Sequence, residues 1–368
     1  MFNIKMLPAD HGDCLLIEYG NKKKKHKVLI DGGTPHSFKA WSHLITEAPE
    51  DKVHFELFVI THVDADHIGG ALELFRSFER LRKQIEFGDV WFNGWRHISD
   101  TLGDMQGELV TDHLVKRKLP WNDAFSNKAV VIPPTGELPS HRLPGGLLLT
   151  LLSPTRKQLD TLKARWKQTI TEANKTLGHV EDKETYFAEP KDLLEVTVPD
   201  LEDLLAKPFK SDRTVANRSS IALLAEYMDG KVEKRCLLTG DAHVDVLMNS
   251  LQTLMKDQRR VKHGRLFIDA LKLSHHGSKK NVSKELLDLL DCSKFLFSTN
   301  GQQFKHPDSE AVARIVKYGR VEGGSNPKLF FNYNSAFNKI WSERGLLELH
   351  EYEVEYPSEG MEGLVVNL

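Results

Sequence analysis

The sequence predicts a mixed α/β fold in which several strands end on one shared edge, and three observations carry that prediction. First, the apolar run Phe55-Glu56-Leu57-Phe58-Val59-Ile60 passes directly into Thr61-His62-Val63-Asp64-Ala65-Asp66-His67, so two imidazoles and two carboxylates follow one strand. Second, three more apolar runs end in the same residue types: Lys27-Val28-Leu29-Ile30 in Asp31-Gly32-Gly33, Cys236-Leu237-Leu238-Thr239 in Gly240-Asp241, and Leu271-Lys272-Leu273 in Ser274-His275-His276-Gly277. Third, 368 residues with 40% hydrophobic and 28% charged content describe an ordinary globular chain with enough apolar residues for a large core.

The elements follow in order. Strand-like segments are expected near residues 2–7, 13–19, 27–31 and 55–60, with Lys22-Lys23-Lys24-Lys25 as a hairpin turn kept soluble by charge. A helix is expected after His67, with Ile68, Leu72, Leu74 and Phe75 on its buried face and Gly69-Gly70 allowing close backbone approach. Its N-terminus would lie beside the His/Asp loop, where the positive end of the helix dipole favours an anion. Val90-Trp91-Phe92-Asn93-Gly94-Trp95 reads as a further strand, with Asn93 bordering a pocket. Residues 155–212 are charge-rich and helix-like and read as an insertion or lid.

Imidazole and carboxylate are the side chains that hold divalent metals, and a metal pair makes water a nucleophile near neutral pH. One loop cannot fill two metal shells, so Asp241 and one of His275 and His276 are expected to meet His62, Asp64, Asp66 and His67. His275, nearer its strand end, is the expected ligand, and His276 is expected to face the substrate. Asp31 reads either as a ligand or as a group that orients the ligand loop.

On these residues the chain resembles the metallo-β-lactamase fold superfamily of hydrolases. His62, Asp64, Asp66 and His67 match the signature His-x-[His/Asp]-x-Asp-His, with Asp31 and Gly240-Asp241 at the matching places. His275-His276-Gly277-Ser278, Asn300-Gly301, His306-Pro307 and the segment Gly12-Asp13-Cys14-Leu15-Leu16-Ile17-Glu18 are similar to a narrower branch. That branch contains the metallo-hydrolase domain of the competence DNA-uptake protein ComEC and its soluble relatives. The resemblance covers roughly residues 1–95 and 215–320 and implies a four-layer αββα sandwich, read here as one domain over residues 1–368 with residues 155–212 inserted.

The resemblance also implies two divalent metal ions. His62 and Asp64 would hold the first, Asp66 and His67 the second, Asp241 both, and His275 would complete the second. Most of the superfamily has a further His where Asn217 stands, so the first position is oxygen-rich, which leaves Zn and Mn both open. The implied activity is hydrolysis of a phosphodiester, in nucleic acid or a nucleotide, by a hydroxide bridging the ions. Asp66, His276 and His306 are the expected catalytic groups, and Asn93, Ser278, Lys279 and Lys280 the expected substrate contacts. Two alternatives stand: a lactone or ester hydrolase of the same fold, and a non-catalytic metal-stabilised subunit of a defence or signalling system.

The formal net charge of −2 excludes a global attraction to nucleic acid and leaves that task to a local patch. Cys14, Cys236 and Cys292 lack metal-binding spacing and read as reduced core thiols of a cytoplasmic protein. No apolar run is long enough to span a bilayer and the N-terminus lacks a signal pattern, so no membrane partner is expected. A homo-oligomer or a protein partner is left open.

Overall fold

The computed structural model describes residues 1–46, 52–94, 106–164, 199–320 and 324–368. Two large sheets lie face to face. The first has the spatial order Leu364–Asn367, Phe2–Met6, Leu15–Gly20, Lys25–Ile30, Leu57–Ile60, Val90–Phe92. The second runs Glu353–Glu355, Lys328–Phe331, Lys294–Phe297, Ala270–Lys272, Val232–Leu238, Ala222–Asp229, Leu148–Ser153, Ser140–Arg142.

Alternation along each strand builds the layers, because successive side chains leave a strand on opposite faces. Leu57 and Val59 enter the core between the sheets, while Phe58 and Ile60 enter the outer core of the first sheet. Likewise Leu223, Ala225, Cys236 and Leu238 point inward, whereas Ala222, Leu224 and Leu237 point outward. The outer core of the first sheet is closed by Ile68, Ala71, Leu72, Leu74 and Phe75 of the helix Ala65–Arg76, with Val110 and Leu114 of Gln106–Lys116. That of the second is closed by Val244, Leu247 and Leu251 of the helix Val244–Leu254 and by Val312 and Ile315 of Ser309–Tyr318. Helix, sheet, sheet, helix is the four-layer αββα order expected from the sequence.

Parallel pairing then sets where the strand ends fall. Lys25–Ile30, Leu57–Ile60 and Val90–Phe92 are parallel neighbours in the first sheet. Val232–Leu238, Ala270–Lys272, Lys294–Phe297 and Lys328–Phe331 are parallel neighbours in the second. Their carboxyl ends share one edge of the sandwich, where open α/β sheets place their ligands. Two glycines bring the first sheet and its helix together there. A Cβ on Gly70 would lie 2.0 Å from the Gly32 carbonyl oxygen, and one on Gly32 would lie 2.2 Å from Ala71 N. The bare backbones instead exchange hydrogen bonds, Gly32 N to His67 O at 2.8 Å and Gly70 N to Gly33 O at 3.0 Å.

The strands differ from expectation mainly at their ends. The expected strand over residues 55–60 is two, Val53–Phe55 and Leu57–Ile60, broken at Glu56, and the first of them joins a separate two-stranded sheet with Ile85–Phe87. The helix expected after His67 starts at Ala65, so Asp66 and His67 lie in its first turn. Of the segment 155–212, residues 165–198 lie outside the described residues, and so do Trp95 and His97. All three cysteines are buried, and burial pushes the thiols up, that of Cys292 to about 12. No helix among the described residues is long and apolar enough to cross a membrane.

Candidate metal centre

The strand ends of the two sheets meet around Asp241. Asp31, one residue past its strand, has φ +58°, a left-handed conformation that Asp tolerates better than most residues. Its Oδ1 accepts the Thr61 N–H at 2.7 Å, and its Oδ2 accepts the Thr61 hydroxyl and faces His67 Nδ1, both at 2.8 Å. A carboxylate only accepts, so His67 carries its proton on Nδ1 and presents Nε2 to the centre. Asp31 is thereby spent on orienting Thr61 and His67.

Two groups of donors lie on either side of the Asp241 carboxylate. On one side, His62 Nε2 is 3.6 Å from Asp64 Oδ2 and 3.8 Å from Asp241 Oδ2, and His275 Nε2 is 3.9 Å from the same oxygen. On the other, His67 Nε2 is 3.3 Å from Asp241 Oδ1 and 4.0 Å from Asp66 Oδ2, while His276 Nε2 is 3.2 Å from Asp66 Oδ2 and 3.9 Å from Asp241 Oδ2. Asp13, His67, Asp241 and His276 are all buried, with potential ligand atoms within 4.8 Å of one another.

This donor set fits divalent cations. His62 Nε2 is buried with no hydrogen bond directed at it, a costly state that a metal ion relieves, and Asp241 Oδ1 faces His67 Nε2 at 3.3 Å. His67 Nε2 and His276 Nε2 face each other at 3.3 Å, an arrangement suited to two lone pairs aimed at one cation. Mixed imidazole and carboxylate donors accept Zn and Mn alike.

Both adjacent histidines reach Asp241, each with Nε2 3.9 Å from its Oδ2. His276, not His275, shares the Asp66–His67 side, and its Nδ1 is held by Asp13 Oδ1 at 3.2 Å and the Ser298 carbonyl at 3.0 Å. His275 falls on the His62 side, with Nδ1 against Asp212 Oδ2 at 3.3 Å and the Asn217 amide at 3.2 Å. Both residues have positive φ, +48° and +55°, in a short 3-10 turn, and this reverses the side-chain directions that distance from the strand end suggests. Asn217 stands beside the centre with Nδ2 on Asp212 at 3.0 Å and a buried Oδ1 that receives no hydrogen bond.

His306 lies at the rim, its ring 5.3 Å from that of His275 and its Nδ1 3.5 Å from Asp308. Asn93 does not join the cluster: its amide donates to the Val130 carbonyl at 2.9 Å and accepts the Val130 N–H at 2.8 Å. The Ser278 hydroxyl accepts the Lys280 N–H at 3.4 Å, which closes the turn after His276. The Lys279 ammonium is paired with Glu310 at 3.1 Å, so of the two expected lysine contacts it is already engaged, while Lys280 is exposed.

Several residues of the centre escaped the sequence reading. Asp13 bonds the fully buried Lys272 ammonium through Oδ2 at 2.7 Å while its other oxygen holds His276. Asp212 lies against both His275 and His243, and Ser220 bonds His62 Nδ1 at 3.0 Å. Asp13 lies in the segment Gly12–Glu18 and His243 two residues after Asp241, but Asp212 carries no signal beyond lying five residues before Asn217.

Burial alone would lower the His67 and His276 pKa values, but Asp241 and the other carboxylates reverse this and hold both up, His276 at about 9. Burial would raise the Asp66 and Asp241 carboxyls, and the surrounding imidazoles instead hold both well down. The metal-free centre therefore keeps protonated imidazole at neutral pH, and a metal must displace that proton. Titration of the stripped protein with Mn²⁺ or Zn²⁺ should release at least about one proton per ion near pH 7, with affinity rising about tenfold per pH unit below about 9. Calorimetry in buffers of different ionisation enthalpy reads the release, and pH-independent affinity contradicts it.

No protein-family model matches the sequence, and no curated protein matches it. Among solved structures, the chain is similar to the metallo-β-lactamase fold protein YhfI from Bacillus subtilis, with 10% sequence identity, a TM-score of 0.37, and coverage of 100% of this chain and 99% of that one.

Proposed function

We propose that the protein is a metal-dependent phosphodiesterase acting on nucleic acid or nucleotides. The observation that carries this reading is the convergence of His62, His67, His275 and His276 on the two oxygens of Asp241, with Asp64 beside His62, Asp66 beside His67 and His276, and His62 Nε2 left without a hydrogen bond. When bound there, divalent ions supply Lewis acidity and lower the pKa of water.

The protein's own groups do the positioning. Asp31 fixes His67, Asp13 fixes His276, and Asp212 with Asn217 fixes His275, so each ring enters with one nitrogen aimed at Asp241 or its neighbours. The helix Ala65–Arg76 begins at the centre, and its N-terminal dipole favours an anionic substrate. His306 is held below the ordinary histidine range by burial, against the pull of Asp308. It is thus a neutral imidazole at pH 7, and with Nδ1 turned to Asp308 its other ring nitrogen is suited to accept a hydrogen bond or a proton from water or substrate.

The test is hydrolysis of single-stranded DNA, duplex DNA, RNA, bis(p-nitrophenyl) phosphate and a homoserine lactone by Mn- and by Zn-loaded protein. Cleavage of a phosphodiester that a chelator abolishes is the expected result. Turnover of the lactone alone transfers the assignment to a lactone hydrolase, and no turnover of any substrate favours a binding subunit.

A further inference from the structure

A second feature at the mouth of the centre has the chemistry of a ligand subsite. Phe304 is a large apolar side chain left 49% exposed. It stands on the segment between the strand Lys294–Phe297 and the helix Ser309–Tyr318, and that segment is tied down. Asn300 N–H donates to the Asp10 carbonyl at 2.8 Å, the Ser298 hydroxyl to the Gly12 carbonyl at 2.9 Å, Thr299 N–H to Asn332 Oδ1 at 2.9 Å, and Lys305 N–H to the Gly301 carbonyl at 2.8 Å. The backbone that presents Phe304 is thus held in place with its ring facing solvent.

The ring extends a row of aromatic groups that leads out of the centre. His275 meets His306 at 5.3 Å between centroids, His306 meets Phe304 at 6.1 Å, and Phe304 meets His11 edge-on at 5.7 Å. His11 in turn lies within electrostatic reach of Asp66 and His276, so the row starts at His275 on one side of the centre and ends near the other side. Gln302 and Lys305, both exposed, flank it with a side-chain amide and a cation.

We infer that the exposed ring of Phe304, braced by His11 and His306, forms a stacking shelf for the nucleobase next to the scissile phosphate. A phosphate seated at Asp241 leaves its nucleoside to one side, and an exposed aromatic face supplies the base–ring contact that nucleic-acid-binding proteins use without reading sequence. Aliphatic esters and lactones of small acids have no aromatic ring to place there. The inference rests on the phosphodiesterase reading for the place of the phosphate, and on the ring geometry for the base.

The test is equilibrium binding, not turnover. Adenosine 5′-monophosphate, ribose 5-phosphate and a single-stranded tetradeoxynucleotide are titrated into Mn-supplemented wild type, Phe304→Ala and Phe304→Trp. Wild type should bind the nucleotide about tenfold or more tightly than the sugar phosphate. Phe304→Ala should bring the two within about twofold, and Phe304→Trp should keep the preference. Tetranucleotide binding at least as tight as that of the mononucleotide assigns the base to a strand, and the reverse order assigns it to a free nucleotide. Equal binding of nucleotide and sugar phosphate by wild type, no binding of either, or a preference unchanged in Phe304→Ala overturns the shelf. A shelf-dependent preference in a protein that cleaves no phosphodiester retains the shelf and removes the phosphodiesterase reading, while cleavage without base preference does the opposite.

Discussion

Replacing Asp241 by Ala should abolish metal retention and reduce hydrolysis by about a thousandfold or more. The two oxygens of Asp241 face both donor groups, Oδ1 toward His67 and Oδ2 toward His62, His275 and His276. Metal ions contribute several kcal/mol to hydrolytic transition states, and each ~1.4 kcal/mol is a factor of about ten in rate, which sets that scale. Asp31→Asn supplies the contrast. Asp31 touches Thr61 and His67 but reaches the centre only through them, so its loss should weaken metal affinity by about ten- to a hundredfold. Metal content after dialysis, with rates on the same samples, separates the two. Asp241→Ala protein that keeps its metal and its rate would show that the cluster is not the functional centre.

Lys272→Met should be the most destabilising single change near the site. Lys272 is wholly buried, and its ammonium donates to Asp13 Oδ2 at 2.7 Å and to the Leu273 carbonyl at 2.9 Å. Removing one partner strands the Asp13 carboxylate in a buried setting, which costs about 3–5 kcal/mol. Burial alone would raise the Asp13 carboxyl, but Lys272 and then His276 hold it down at about 2. A carboxyl held below its unfolded value of about 3.9 contributes stability above that pH and loses it as pH falls toward the folded value. The gap between wild type and Lys272→Met should therefore widen with rising pH until the Asp13 carboxyl ionises in the variant as well, and narrow as pH falls toward about 2. Asp13→Leu/Lys272→Met removes both charges of this pair, and part of the loss should return, the remainder reflecting the contact that His276 Nδ1 loses with Asp13. Denaturant unfolding across this pH range reads all three proteins. A loss below about 1 kcal/mol for Lys272→Met would show that the pair does not support the fold.

The parts of the centre that could be read from the sequence are those in which one short segment specifies both the strand and its end. His62 through His67, Gly240-Asp241 and His275-His276 were each recognisable because an apolar run ends in a ligand residue, and parallel pairing brings such ends to one edge. What stayed hidden depends on contacts between distant segments or on single backbone angles. Asp13 and Lys272 are separated by 259 positions, and neither looks unusual until the sheets face each other. The order of His275 and His276 turns on two positive φ values that an apolar pattern does not encode. Lys279 looked like a free cation because Glu310, its partner, arrives on the helix Ser309–Tyr318. Asn93 sits where a strand ends, as the ligands do, yet the approach of Val130 consumes its amide.

Metal stoichiometry of the purified wild-type protein, by elemental analysis after exhaustive dialysis against metal-free buffer and reloading with Mn²⁺ or Zn²⁺, tests the central claim most directly. Two donor groups around one shared carboxylate predict close to two ions per chain, falling to near zero in Asp241→Ala. A chain that binds no ion under these conditions, or binds as much in Asp241→Ala as in wild type, would contradict the assignment of this cluster as a metal centre.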